Sequence, residues 1–347
     1  MLRGLSRTVL HAAWHAVWRT RYDILVACRW RVYIMHAGMI SAMALQRAVA
    51  IGNGKGGCGK SSTAAAVAGL SAAADYEVVL VDLDPQGDLA DELGVRDHPD
   101  NDGGDGLLRA VTAGVPLPKP IQARPNLYLV PGGPALYDLS GVLLSRQSRG
   151  QSVSDALTNA LQPIADNAEL CIIDTPPGDV LLQNLALTAA RWLIIPTTVD
   201  TSSIRALHNI ADRVGEARRD NGDLEVLGVV LWNIPVAAKR IRREARATID
   251  QVLGKGTTMF TTTIRSAPAA AYEVRVQGKL VHELAEAVEG AEPFWKALRE
   301  GREVRTPGTA PALAAEYIQL TDEILTRMAA AEADAGAGAP PMEAMVP

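Results

Sequence analysis

At 347 residues and 48% apolar, the chain can bury a sizeable core, either as two domains or as one large α/β domain. A net charge of −5 gives no global sign of nucleic-acid binding, so any such affinity must come from a local patch. Three cysteines, Cys28, Cys58 and Cys171, form no C-x-x-C pair, which argues against a disulfide framework or a zinc site and fits a reducing cytoplasm.

Residues 1–40 stand apart, with three of the six Trp, three of the six His, and six arginines against the single acid Asp23. That stretch is +5, which leaves −10 for residues 41–347. Its apolar run Ile24–Cys28 lies between Arg21 and Arg29 and is too short to span a membrane. Leu25-Val26-Ala27-Cys28 has the form of a lipoprotein box, but no apolar stretch precedes it. Residues 1–46 therefore read as an extension outside the core, with a membrane-surface or DNA-binding arm as the alternative.

From residue 47 to about 330 the pattern is strand, helix, strand, and one domain is expected there. Ala48–Ile51 is a short apolar strand that runs into a Gly-rich loop, and an Ala-rich helix follows over Ser62–Ala74. Uniformly apolar, β-branched runs then recur at Val78–Val81, Leu170–Ile173, Trp192–Ile195, Val226–Trp232 and Thr257–Ile264. Helical stretches separate most of them, which predicts an α/β fold: a doubly wound, mostly parallel sheet with helices on both faces. Asp97–Gly106 and the Pro-rich Val115–Pro120 read as loops, and Gly290–Pro311 as a surface insertion. Leu313, Tyr317, Leu320, Ile324 and Met328 mark a final amphipathic helix. Residues 331–347 have almost nothing to bury and read as a disordered tail.

The strongest chemical signal is Gly52-Asn53-Gly54-Lys55-Gly56-Gly57-Cys58-Gly59-Lys60-Ser61-Ser62. Gly54, Gly59, Lys60 and Ser61 satisfy the phosphate-loop pattern G-x-x-x-x-G-K-[ST], placed between a strand and a helix as that loop requires. Glycines let backbone N–H groups converge on phosphate oxygens at a helix N-terminus, whose dipole favours anions. Lys60 would reach the β- and γ-phosphates of ATP, and the Ser61 hydroxyl would ligate Mg²⁺. The nucleotide-binding set is thus Gly54, Lys55, Gly56, Gly57, Cys58, Gly59, Lys60, Ser61 and Ser62. Two further segments end apolar runs in acids: Val81-Asp82-Leu83-Asp84-Pro85-Gln86-Gly87 and Ile173-Asp174-Thr175-Pro176-Pro177-Gly178. Carboxylates at i and i+2, as at Asp82 and Asp84, lie on one side of a strand, at the edge where open α/β sheets bind ligands. Asp174 stands where a Walker B acid would hold Mg²⁺ through water.

Lys55-Gly56-Gly57-Cys58-Gly59-Lys60-Ser61, with D-x-D-P-Q-G and D-T-P-P after it, resembles the ParA/MinD group of deviant Walker A ATPases, and ParA-type partition ATPases in particular. The resemblance covers about residues 48–330. It implies a homodimer formed on ATP, in which Lys55 crosses to the partner's phosphates. It also implies that Asp84 orients the attacking water and that Asp82 supports Mg²⁺ and the switch segment. Hydrolysis should be weak, and the implied partners are a ParB-like centromere-binding protein and non-specific DNA, in a cytoplasmic, nucleoid-associated setting. Residues 1–46 are too few for the helix-turn-helix domain of the larger plasmid type. Val130-Pro131-Gly132-Gly133 resembles the family's turn after a strand. Asn233 stands where related ATPases place a base-contacting asparagine, and Ala271-Tyr272-Glu273 with Gly278-Lys279 resembles the loop near the nucleotide.

Lys239, Arg240, Arg242, Arg243 and Arg246 lie on a predicted amphipathic helix and form the dense basic cluster of the core. They are either a solvated face or the DNA-binding patch. The terminal helix carries Glu316, Asp322 and Glu323, unlike the basic terminal helix of MinD-like membrane-cycling ATPases, so no membrane contact is expected. A MinD-like or other cargo-positioning ATPase is the nearest alternative. A phosphoryl-transferring kinase or ligase is a further one, for which no acceptor-site motif is seen.

Overall fold

The computed structural model describes residues 44–235, 239–253, 259–289 and 308–337. The expectations for residues 1–43, for Cys28, for most of the 290–311 insertion and for the tail from 338 lie outside these.

Among the described residues eight strands form one sheet: β1 (Leu45–Ile51), β2 (Val78–Asp82), β3 (Ile121–Arg124), β4 (Leu127–Val130), β5 (Leu170–Asp174), β6 (Ala190–Thr197), β7 (Glu225–Ile234) and β8 (Met259–Arg265). Their spatial order is β3-β4-β2-β5-β1-β6-β7-β8. Every neighbouring pair is parallel except the hairpin β3–β4, which closes one edge. Every residue of β2 (Val-Val-Leu-Val-Asp) and β5 (Leu-Cys-Ile-Ile-Asp) is buried, because helices cover both faces of a parallel sheet. The expected strands are thus present, and β1, β6 and β7 run beyond their apolar cores.

The α-helices of the described residues are α1 (Lys60–Ala73), α2 (Asp88–Glu92), α3 (Asp105–Ala113), α4 (Tyr137–Ser148), α5 (Ala156–Ala165), α6 (Val180–Ala189), α7 (Thr201–Ala217), α8 (Lys239–Val252), α9 (Pro268–Gln277), α10 (Val281–Glu289) and α11 (Ala310–Ala337). α1 is built almost wholly of small residues, so it lies close on the sheet, with Ala64 to Ala68 buried. α11 packs on α1, α10 and β8 and buries Leu313, Tyr317, Leu320, Ile324 and Met328 as its periodicity predicts. Its acids serve β8: Glu316 accepts from the Arg265 N–H (2.7 Å) and Glu323 from the Thr262 N–H (3.0 Å). Amides of the last strand are thereby satisfied by a helix rather than left as a template for another chain. The helix continues to Ala337, so the stretch from residue 331 that composition assigns to the tail is helical at its start.

β1 sits between β5 and β6, and the chain leaves β1 for β2 on one side and leaves β5 for β6 on the other. That reversal opens a crevice at the carboxyl ends of β1 and β5, the usual ligand position in such sheets. Register places Ile51, Asp174 and Asp82 in one row across β1, β5 and β2.

Candidate nucleotide-binding site

The Gly-rich loop leaves β1 at Ile51 and is pinned from two sides. On the β6 side the Gly52 N–H donates to the Ile194 carbonyl (3.0 Å) and the Asn53 amide to the Pro196 carbonyl (2.6 Å). On the β5 side the Thr175 hydroxyl donates to the Ile51 carbonyl (2.9 Å). The loop ends at Gly59, whose φ of 80° lies in the left-handed region, and α1 starts at Lys60. Glycine is required there twice over, because a Cβ would also run into the Trp232 indole. Trp232 in turn donates its N–H to the Tyr317 hydroxyl (3.1 Å), so β7 and α11 brace the loop from behind.

Lys60 is 6% exposed and its ammonium donates to the Lys55 carbonyl (3.0 Å), inside the turn of the loop. Lys55 is held in its own chain: its ammonium meets the Asp200 carboxylate at 2.5 Å and the Thr198 hydroxyl at 3.3 Å. Asp200 also caps α7 through the Ser202 N–H (3.0 Å) and the Ser203 N–H (3.2 Å). The Lys55 ammonium, with the Ser202 and Thr198 hydroxyls, holds its carboxyl well below the usual range. Cys58 is buried, its thiol donates to the Lys55 carbonyl (3.2 Å), and burial raises its pKa. It packs the loop.

Three carboxylates face this loop. Asp174 is fully buried and neither of its oxygens accepts a hydrogen bond of normal geometry, although the Ser61 hydroxyl and Lys60 are near enough to favour its charge. Burial dominates and pushes its pKa up to about 7. Asp82 spends both oxygens on backbone, accepting from the Asp84 N–H (3.0 Å) and the Leu89 N–H (3.3 Å), and burial with Asp174 beside it raises its pKa strongly. β2 stops at Asp82, so Asp84 stands on the following loop rather than on the same strand face, contrary to the i, i+2 expectation. Asp84 accepts from the Gln86 N–H (2.9 Å), and its pKa is raised by burial, with Lys60 acting the other way. Gly132 lets the β4 turn pass this segment, since a Cβ there would lie 2.6 Å from the Asp82 carbonyl oxygen.

Asp174 and Ser61 fit a Mg²⁺ ion. A buried carboxylate with two unpartnered oxygens beside a hydroxyl at a phosphate loop offers hard oxygen donors, which this ion prefers. Among the described residues no three His, Cys, Asp or Glu side chains converge on a metal site. Asp82 is the exception among the expected ligands, because its oxygens already accept from the Asp84 and Leu89 N–H groups.

Ser62, at the start of α1, donates its hydroxyl to Glu92 of α2 (3.0 Å). Asn233 lies exposed at the end of β7 with φ 59°, a left-handed conformation that Asn tolerates better than most residues. The basic residues Arg240, Arg242, Arg243 and Arg246 do lie on one helix, α8, with Lys239 as its first residue. Arg240 pairs with Glu244 (3.5 Å) and Arg246 with Asp250 (3.4 Å), both at the surface, while Arg242 is half-buried. Trp232, Asp200 and Glu92 escaped the sequence reading. Asp200 before Ser202-Ser203 carries a helix-start signal, but nothing in the sequence joins it to Lys55.

This site and sheet define a phosphate-loop ATPase of the deviant Walker A type. The AAA domain family model AAA_31 matches residues 46–226, just over half of the chain, and the chain belongs to that family, the ParA/MinD-type ATPases. It is 31% identical to the chromosome partitioning protein ParA of Myxococcus xanthus over 188 residues, 53% of this chain and 64% of that protein's own length. An uncharacterized Pseudomonas putida protein is 29% identical over 69% of this chain and 92% of its own. Among solved structures, a complex of Cyanothece McdA with ATP superposes with a TM-score of 0.63 at 22% identity, over 83% of this chain and 98% of that one, a likeness that establishes the fold.

Proposed function

We propose that the chain is an ATPase that dimerises on ATP, binds DNA without sequence preference as that dimer, and hydrolyses ATP with a ParB-like partner to partition DNA. One observation carries the nucleotide half of this reading: the buried, unpartnered Asp174 carboxylate beside Ser61 and Lys60 at the head of α1. The cargo half draws on the kinship with a chromosome partitioning protein and on the exposed basic residues of α8.

Lys60 and the loop amides bind the triphosphate, and the α1 N-terminus adds its dipole. Ser61, and Asp174 through water, would hold Mg²⁺, which when bound neutralises charge on the β- and γ-phosphate oxygens. Asp84, on a loop held by Asp82, would orient the attacking water. Lys55 leaves Asp200 for the nucleotide of a second copy, so the Lys55–Asp200 pair is the resting arrangement and the dimer the active one. No membrane role is proposed, and no helix among the described residues is long and apolar enough to cross one.

Phosphate release with Mg²⁺-ATP, with and without duplex DNA and the ParB-like partner, tests this. Slow turnover that both additions raise is the expected result. Intrinsic turnover above roughly 10 s⁻¹, a rate typical of metabolic enzymes, or a phosphorylated acceptor among the products, would overturn it.

A further inference from the structure

Outside the phosphate-binding groups, Glu92 is a buried ionisable side chain that touches the loop helix. It is the last residue of α2, is 2% exposed, and accepts the Ser62 hydroxyl at 3.0 Å. Its other neighbour is Arg275 of α9, 3.5 Å away, which also reaches Asp88 at the start of α2 (3.3 Å). A buried carboxylate is costly unless paired and hydrogen-bonded, and here both partners come from other elements. α2 is the direct continuation of the segment that bears Asp84: the Gly87 N–H donates to the Asp84 carbonyl (3.0 Å), and Asp82 accepts from Leu89 within α2. At its far end Gly94 lies against Gly278, the turn that closes α9, so closely that a Cβ would sit 2.9 Å from the Gly278 oxygen. Ser62, Glu92, Arg275 and Asp88 thus join the loop helix, the switch segment and α9 in one chain of polar contacts.

We propose that Glu92 is a positioning residue that couples nucleotide occupancy to the Asp84 segment, acting through Ser62 on one side and Arg275 on the other. The Ser62 hydroxyl has one proton to donate. Without nucleotide that proton goes to Glu92; a phosphate at the head of α1 is a competing acceptor. When the hydroxyl turns to phosphate, Glu92 keeps only Arg275, draws that guanidinium from Asp88, and so releases the start of α2. The negative charge of Glu92 meanwhile opposes the phosphates, and Arg275 offsets it. This coupling rests on the ATPase reading above.

The test uses the full chain with Mg²⁺-ATP and Mg²⁺-ADP, titrated calorimetrically, and phosphate release for wild type, Glu92→Gln, Arg275→Gln and the double variant. Gln keeps the acceptor for Ser62 but removes the charge. Glu92→Gln should bind both nucleotides about fivefold tighter, as one partly screened charge nearby implies. Its kcat should fall, because the switch segment no longer follows the nucleotide. Arg275→Gln, at a half-exposed site that tolerates change, should bind both more weakly, and the double variant should match Glu92→Gln. A merely structural Glu92 would lower stability and weaken binding together, and that result overturns the coupling. So does unchanged affinity in Arg275→Gln, which decides the matter even if Glu92→Gln does not fold. A wild-type chain that binds neither nucleotide would instead sink the ATPase reading, and the coupling with it.

Discussion

On the proposed reading, Lys60 and Asp84 divide binding from turnover. Lys60 supplies a buried counter-charge, so Lys60→Ala should lose ATP binding by two orders of magnitude or more, measured by calorimetry. Asp84 stands outside the loop, and Asp84→Ala should bind ATP with near wild-type affinity while phosphate release falls to background. Equal loss of binding in both would refute that division. Asp174 makes a third prediction, on pH. Its folded-state pKa of about 7 lies above the ordinary carboxylate value, so the native state binds the extra proton. Stability from this group is therefore present at low pH and is lost as pH rises from about 4 to about 7. Asp174→Asn should be close to wild type at pH 4 and more stable at pH 8, by on the order of 4 kcal/mol, in denaturant melts without nucleotide. A constant difference across that range would show that Asp174 is not held protonated. Lys60 and Ser61 were legible from spacing, because a phosphate loop demands a lysine and a hydroxyl at adjacent positions, and Asp174 from the apolar run it ends, read in order after the loop. The Lys55–Asp200 and Ser62–Glu92 pairs were not, because they join residues far apart in sequence whose meeting depends on how β6 and α2 pack.

At the scale of elements, the long apolar runs announced the parallel strands, since strands buried on both faces must be apolar throughout. β3 gave no such sign: Ile121-Gln122-Ala123-Arg124 is a short edge strand with one fully buried residue, identified by its hairpin partner rather than its composition. α8 was visible from its periodicity, and its charge distribution bears on DNA. Two of its arginines face acids one turn away, so fewer of its charges are available to phosphate than the sequence suggests. Exposed pairs of this kind are weak and would yield to a phosphate. Replacing Arg242, Arg243 and Arg246 with Glu should weaken ATP-dependent DNA binding without altering ATP-driven dimerisation. The slope of log K against log salt should flatten by about 0.9 for each DNA phosphate that is no longer neutralised. Titrations at several salt concentrations measure this, and an unchanged slope would return α8 to an ordinary solvated face.

At the scale of the molecule, β1 begins at Leu45 and pairs with β5 and β6. A chain lacking residues 1–40 should bind ATP and dimerise as the full chain does. Loss of nucleotide affinity on truncation would make that segment part of the working protein. The proposed cycle turns on ATP, and not ADP, joining two copies by moving Lys55 from Asp200 to a partner's phosphates. Light-scattering mass measured with Mg²⁺-ATP, with Mg²⁺-ADP and without nucleotide addresses this step, for wild type, Asp84→Ala and Lys55→Ala. The mass should double only with ATP, stay doubled in Asp84→Ala and remain that of a monomer in Lys55→Ala. A wild-type chain that hydrolyses ATP while remaining a monomer throughout would contradict the proposed cycle.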